Sequence, residues 1–150
     1  MTPLEDLIAY AKSFLGTPYL WGGKNPSIGL DCSGFVCEII KSIGIIGYRD
    51  QYSSRDLHAF FRDHGTQQDI TNPPVGTLIF YGKSVQDIRH VALVISPYSV
   101  IESGGGSDAT ITLEIAKNAD ARVRIRWINH RIDKLVAILP NYPWDLKNQK

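Results

Sequence analysis

A chain of 150 residues with 43% hydrophobic, 10% aromatic and 21% charged residues can bury a core without disulfide staples, and it carries no repeat and no low-complexity segment. With 16 Lys and Arg against 15 Asp and Glu, the net charge of +1 excludes a strong electrostatic drive toward nucleic acid or an anionic membrane. The start, Met1-Thr2-Pro3-Leu4-Glu5-Asp6, lacks the basic-then-apolar pattern of a signal peptide, and no apolar run approaches bilayer length. Cytoplasmic synthesis without a signal peptide, no membrane span and a single domain over residues 1–150 are therefore expected. Cys32 and Cys37 would lie about 140° apart around a helix, too far round for a mutual disulfide.

The first predicted helix starts with Thr2 as N-cap, Pro3 in the first turn and Glu5 closing a capping box. Leu4, Leu7, Ile8, Ala11 and Leu15 share a face before Gly16 ends it. A second helix is expected from about Cys32 through Phe35, Val36, Ile39, Ile40 and Ile43, with Gly44 as its stop. Apolar over much of its circumference, it reads as a buried central helix. A third helix is capped by Ser53 or Ser54, with Leu57, Phe60 and Phe61 as its apolar face, and His58 and His64 as solvent-side or capping residues.

From Asn72-Pro73-Pro74 onward the period changes to two. Residues 77–81, 90–95, 100–102, 121–128 and 135–139 read as strands, with loops at 83–88 and 104–108. Helices first and strands after predict an α+β domain with an antiparallel sheet. Along Arg122-Val123-Arg124-Ile125-Arg126-Trp127 the arginines form one face, expected to be a solvated outer face rather than a binding stripe, and Val123, Ile125 and Trp127 the buried one. After Pro140 no periodicity remains, and residues 141–150 are expected to form a loose tail.

The chemistry centres on Gly16-Thr17-Pro18-Tyr19-Leu20-Trp21-Gly22-Gly23 and Asp31-Cys32-Ser33-Gly34. They place Cys32 in the first turn of the second helix. There the unsatisfied N–H groups and the positive end of the helix dipole favour an anion, drawing a thiol toward the nucleophilic thiolate. A cysteine serving as a small buried hydrophobe is the alternative, but it needs no polar flanks such as Asp31 and Ser33. A thiolate also needs a base, itself held by a polar group. His90 opens the strand His90-Val91-Ala92-Leu93-Val94-Ile95, and Glu102 ends the next strand. A hairpin through Ser96-Pro97-Tyr98-Ser99 would set Glu102 beside the His90 ring, with Asp87 or His58 as fallback third members.

These residues resemble a known family. Tyr19-Leu20-Trp21-Gly22-Gly23, Asp31-Cys32-Ser33-Gly34-Phe35-Val36 and the His90 strand, with a polar residue about a dozen positions later, are similar to the NlpC/P60 cysteine peptidases, papain-like cell-wall hydrolases. The resemblance runs from about Leu4 to Leu139 and implies a minimal papain-like α+β fold, its nucleophile helix packed on a small antiparallel sheet. Carried over by position, it makes Cys32 the nucleophile, His90 the general base and acid, and Glu102 the orienting group, where many relatives have His, Asn or Gln. It also implies that Tyr19 lies near the nucleophile, that Asp31 and Ser33 bind the substrate, and that the Cys32 N–H contributes to an oxyanion hole. One departure is Val75-Gly76-Thr77, where relatives often read Pro-Gly-Asp, which puts a local hydrogen bond in question.

The implied activity is cleavage of the bond between D-glutamate and meso-diaminopimelate or lysine in peptidoglycan stem peptides, with no metal and no cofactor. Acting at the bacterial cell wall without a secretion signal would call for a phage tail, a holin-assisted lysis system or injection as an effector through a secretion system. Two other readings are an amidase or acyltransferase on another substrate, disfavoured because Cys32 precedes His90, and a catalytically silent wall-binding module.

Overall fold

The computed structural model describes residues 1–145. In chain order the elements are α1 (Pro3–Lys12), β1 (Lys24–Asn25), β2 (Gly29–Leu30), α2 (Cys32–Lys41), α3 (Ser54–Asp63), β3 (Gly65–Gln68), β4 (Leu78–Ser84), β5 (Asp87–Ser96), β6 (Ser99–Gly104), α4 (Leu113–Asn118), β7 (Arg122–Trp127) and β8 (Lys134–Pro140). The α+β arrangement is the expected one: three helices precede a six-stranded antiparallel sheet of order β3-β8-β4-β5-β6-β7, and α4 falls between β6 and β7.

Each long helix starts where its cap dictates. Thr2 and Glu5 form the capping box of α1, and Ser53 accepts from the Asp56 N–H at the start of α3. Helix α1 stops at Lys12, earlier than its apolar spacing predicts, and successive turns lead to Gly16 with φ +92°. Helix α2 is the buried core of the helical layer, with eight of its ten residues buried. At about 1.5–3 kcal/mol for each large aliphatic or aromatic side chain, Phe35, Val36, Ile39 and Ile40 anchor it firmly.

The sheet turns two different faces to its surroundings. Leu78, Phe80, Val91, Leu93, Ile101, Val123, Val136 and Ile138 join the α2 and α3 side chains in the main core. On the opposite face Ile79, Tyr81, Ala92, Val94, Val100 and Ala137 pack with Ile128 from the chain between β7 and β8. The pleat that makes both faces apolar at the centre leaves the positions of one end of the second face to polar residues.

Three expectations change. Strand β7 alternates as predicted only at its start: Val123 is buried, but Ile125 and Trp127 are 42% and 63% exposed, because this edge strand runs beyond the helical layer. Helix α4 and strand β3, both unpredicted, are short, and β3 (Gly-Thr-Gln-Gln) is held to β8 by backbone pairing rather than an apolar face. The tail is anchored at its start, since Tyr142 is 5% exposed, donates to the Gly76 carbonyl at 2.7 Å and stacks on Trp144. Residues 146–150 lie outside the described ones.

Candidate active site

The nucleophile arm is built locally. Asp31 caps α2, its Oδ1 accepting from the Gly34 N–H at 2.6 Å and the Ser33 hydroxyl at 3.0 Å. Cys32 is therefore the first helical residue, as expected, and is 7% exposed. The glycines upstream serve this placement. The Asp31 N–H donates to the Gly23 carbonyl at 3.1 Å, and a Cβ on Gly34 would collide with that same carbonyl, so the start of α2 seats against the Gly22-Gly23 turn only with glycine at 34.

The base arm is a row of polar side chains laid across four strands. Tyr81 of β4 pairs in register with His90 of β5, and Glu102 of β6 with Arg124 of β7. The register Leu93↔Ile101 makes Glu102 the diagonal neighbour of His90 on the same face. Their side chains meet: the His90 Nε2 is 2.8 Å from Glu102 Oε1, and Arg124 Nε is 3.2 Å from Oε2. A Cβ on Gly104 would overlap the Glu102 carboxylate, so glycine there gives the acid its room. The expected hairpin contact between residues 90 and 102 is present, while Asp87 is drawn outward by a two-point pairing with Arg89 at 3.1 and 3.0 Å and His58 meets Phe80 edge-on.

The two arms join at the imidazole of His90, which hydrogen-bonds Glu102 through Nε2 and lies close enough to the Cys32 thiol for the two to influence each other. The Cys32 Sγ also lies 4.0 Å from the Arg89 carbonyl oxygen. Burial alone would lower the His90 pKa, but the hydrogen bonds and charges of Cys32 and Glu102 outweigh it and hold the value at about 9. Burial likewise opposes the Glu102 charge, yet His90, His130 and Arg124 together bring its pKa down to about 2. An ionised acid beside a protonated imidazole places positive charge next to the Cys32 sulfur. Cys37 contrasts with this: burial pushes its thiol up to about 11, and its Sγ points at the Tyr52 carbonyl at 3.6 Å.

His130 is absent from the sequence-derived site. It comes from the irregular stretch between β7 and β8, places Nε2 3.0 Å from Glu102 Oε1, and has Nδ1 2.9 Å from the Trp127 carbonyl oxygen. Arg124 was also read otherwise, as a solvated face; its side chain is 16% exposed and turned into the site. Tyr81 packs its ring against both His90 and His130, at 5.3 and 5.9 Å between centroids, with Arg131 over the same ring. The Tyr81 hydroxyl and Thr77 Oγ1 are buried without a hydrogen-bond partner among the described residues. Thr77 thus leaves unmade the bond that the departure from Pro-Gly-Asp had put in question.

A cleft of about 360 Å³ opens over this row, lined by Tyr19, His90, Glu102, His130 and the Gly104-Gly105-Gly106 run among others. Tyr19 lines the cleft, where burial and then the nearby Cys32 and Asp31 raise its pKa. A Cβ on Gly106 would strike the Tyr19 ring. Ser33 is buried with its hydroxyl on Asp31, so both predicted binding residues also have a helix-capping role. His90, Glu102 and His130 present ligand atoms within 4.8 Å of one another, a donor set that could hold a metal ion. Their N···O separations are those of hydrogen bonds, and the Arg124 guanidinium on the same carboxylate opposes a cation.

The NlpC/P60 family model matches residues 16–129. The chain belongs to that family. It is 37% identical over 102 residues to a γ-D-glutamyl-L-lysine dipeptidyl-peptidase of Bacillus cereus, covering 66% of this chain and 28% of that one, so it spans less than a third of the relative's length. A solved NlpC/P60 family protein of B. cereus superposes with a TM-score of 0.67 at 30% identity, over 93% of this chain and 41% of the other. RipD of Mycobacterium tuberculosis, described as a non-catalytic NlpC/P60 domain protein adapted to peptidoglycan binding, superposes with a TM-score of 0.66 at 20% identity, over 93% of this chain and 98% of its own. The fold alone therefore does not decide between catalysis and binding; the side chains at the site must.

Proposed function

We propose that this NlpC/P60 domain is a cysteine peptidase acting on peptidoglycan stem peptides, with Cys32 as nucleophile, His90 as general base and acid, and Glu102 as the group that orients His90. The observation that carries the reading is the His90 imidazole, 2.8 Å from a buried carboxylate and beside a thiol at a helix N-terminus. In the proposed reaction the Cys32 thiolate attacks the scissile carbonyl carbon and the oxyanion forms at the start of α2, where first-turn N–H groups lack helical partners. The His90 imidazolium then gives its proton to the departing amine. A thioester to Cys32 remains, and His90 takes a proton from water so that hydroxide attack releases the acid and regenerates the thiol.

The bond proposed is the one between D-glutamate and the following diamino acid, in keeping with the name of the B. cereus relative. Tyr19, which lines the cleft, and Asp31 and Ser33, which flank Cys32 in the chain, are proposed to bind the part of the stem peptide that precedes that bond. Mass spectrometry of purified peptidoglycan after digestion tests all of this. Fragments ending in D-glutamate with wild-type protein and none with Cys32→Ala are expected; cleavage at another bond, or equal cleavage by Cys32→Ala, would overturn it.

A further inference from the structure

The Glu102 carboxylate is held from three sides, and only one of them is His90. Oε2 receives Arg124 at 3.2 Å; Oε1 receives both His90 at 2.8 Å and His130 at 3.0 Å. A carboxylate with a single anchor would be free to swing about its last torsion, which has broad wells, and carry Oε1 out of line with the His90 ring. Arg124 donating to Oε2 and the His130 ring standing 3.0 Å from Oε1 remove that freedom. We propose that His130 is a positioning residue of this site: it holds Oε1 of Glu102 in the line of the His90 Nε2–H, and Glu102 in turn holds His90 toward Cys32. The inference rests on Cys32, His90 and Glu102 acting as proposed above.

The ring of His130 is itself fixed for this task. Its Nδ1 lies against the Trp127 carbonyl, which can only accept, and its Nε2 against an ionised carboxylate, which can only accept. The imidazolium satisfies both contacts. Burial lowers the His130 pKa, while the Glu102 charge and the hydrogen bond to the Trp127 carbonyl act to raise it. Tyr81, edge-on to His130, closes the remaining side. His130 also lies one residue beyond the segment that the family model matches, so membership in the family does not by itself supply it.

Steady-state kinetics on L-alanyl-γ-D-glutamyl-L-lysine test the assignment with three variants and a thermal melt of each. His130→Ala should lower kcat by about tenfold, the worth of one buried polar contact, while KM stays within twofold. His130→Gln, whose amide N–H can still reach Oε1, should recover most of that loss; His130→Phe, which fills the space without a donor, should not. If His130→Ala fails to fold, the Gln and Phe pair carries the comparison alone. Wild-type kcat in His130→Ala, or recovery by Phe and not by Gln, would overturn the positioning role and leave a packing role. Cys32→Ala in the same assay separates this from the underlying reading: an inactive Cys32→Ala beside a fully active His130→Ala removes only the His130 assignment, whereas an active Cys32→Ala removes both.

Discussion

The nucleophile arm and the base arm meet at one imidazole but are made in different ways. The first occupies residues 16–41 and is fixed by a cap, a turn and a helix whose apolar side chains are buried. The second gathers Tyr81, His90, Glu102, Arg124 and His130 from four strands and a loop, so no member is placed by its own neighbours in the chain. A locally built arm concentrates its function in one atom, the Cys32 sulfur, with no understudy. An arm assembled across a sheet shares its task among several donors around one carboxylate, so its members should fail by degrees.

The steepest break expected is at Cys32. Cys32→Ala should reduce hydrolysis by at least about a thousandfold while leaving the thermal midpoint little changed, since the substitution removes one sulfur from a site at the edge of the core. Measurable turnover above a tenth of wild type would contradict the nucleophile assignment.

On the base arm the expected losses are smaller and ordered. Glu102→Ala should cost about 10- to 100-fold in kcat, for it strips His90 of its orienting acceptor and leaves Arg124 and His130 facing a void. Glu102→Gln should fall between it and wild type, because an amide oxygen still accepts from His90. Identical rates for Ala and wild type would mean that the row across the sheet is scaffolding.

The pH dependence sharpens the same contrast, with signs set by the two shifts. His90 is raised to about 9, so its contribution to stability is complete below the ordinary value of 6.5 and is lost as pH climbs through 9. Glu102 is lowered to about 2, so its contribution is complete above the ordinary 4.5 and is lost as pH falls toward 2. The two describe one coupled pair, and melting curves should show their plateau between about pH 4.5 and 6.5. The alkaline limb of kcat/KM should lie near pH 9; a limb at the ordinary histidine value would show that His90 does not hold its proton as the geometry requires.

Asp31 tests whether the local arm does more than present a thiol. Asn caps helices as well as Asp, so Asp31→Asn should melt within about 0.5 kcal/mol of wild type, whereas Asp31→Ala should lose about 1 kcal/mol. If the carboxylate also receives a substrate ammonium, wild type should prefer the free tripeptide over its N-acetylated form and Asp31→Asn should show no such preference. Equal rates on both substrates in wild type would confine Asp31 to capping. The smallest effect belongs to Cys37, whose thiol is buried away from the site: Cys37→Ala should leave kcat unchanged and cost about 1 kcal/mol in packing by denaturant titration.

How far the sequence could be read follows the same division. Caps, turns and periodicities act over a few residues, and so Thr2, Asp31 and Ser53 marked their helix starts, the period-two runs marked β4 to β8, and the flanks of Cys32 marked a nucleophile. Glu102 was within reach too, because a short hairpin ties it to His90. Arg124 and His130 were not. Arg124 sits in an alternation that reads equally well with its arginines in or out, and only the pairing of β7 beside β6 turned one of them onto a buried carboxylate. His130 lies in a segment with no period, where its position is set by the chain's passage from β7 at one edge of the sheet back to β8 beside β4. Local sequence carries the energy of caps and apolar stripes, but a charge is drawn into a buried site only by another charge that the fold has already brought there.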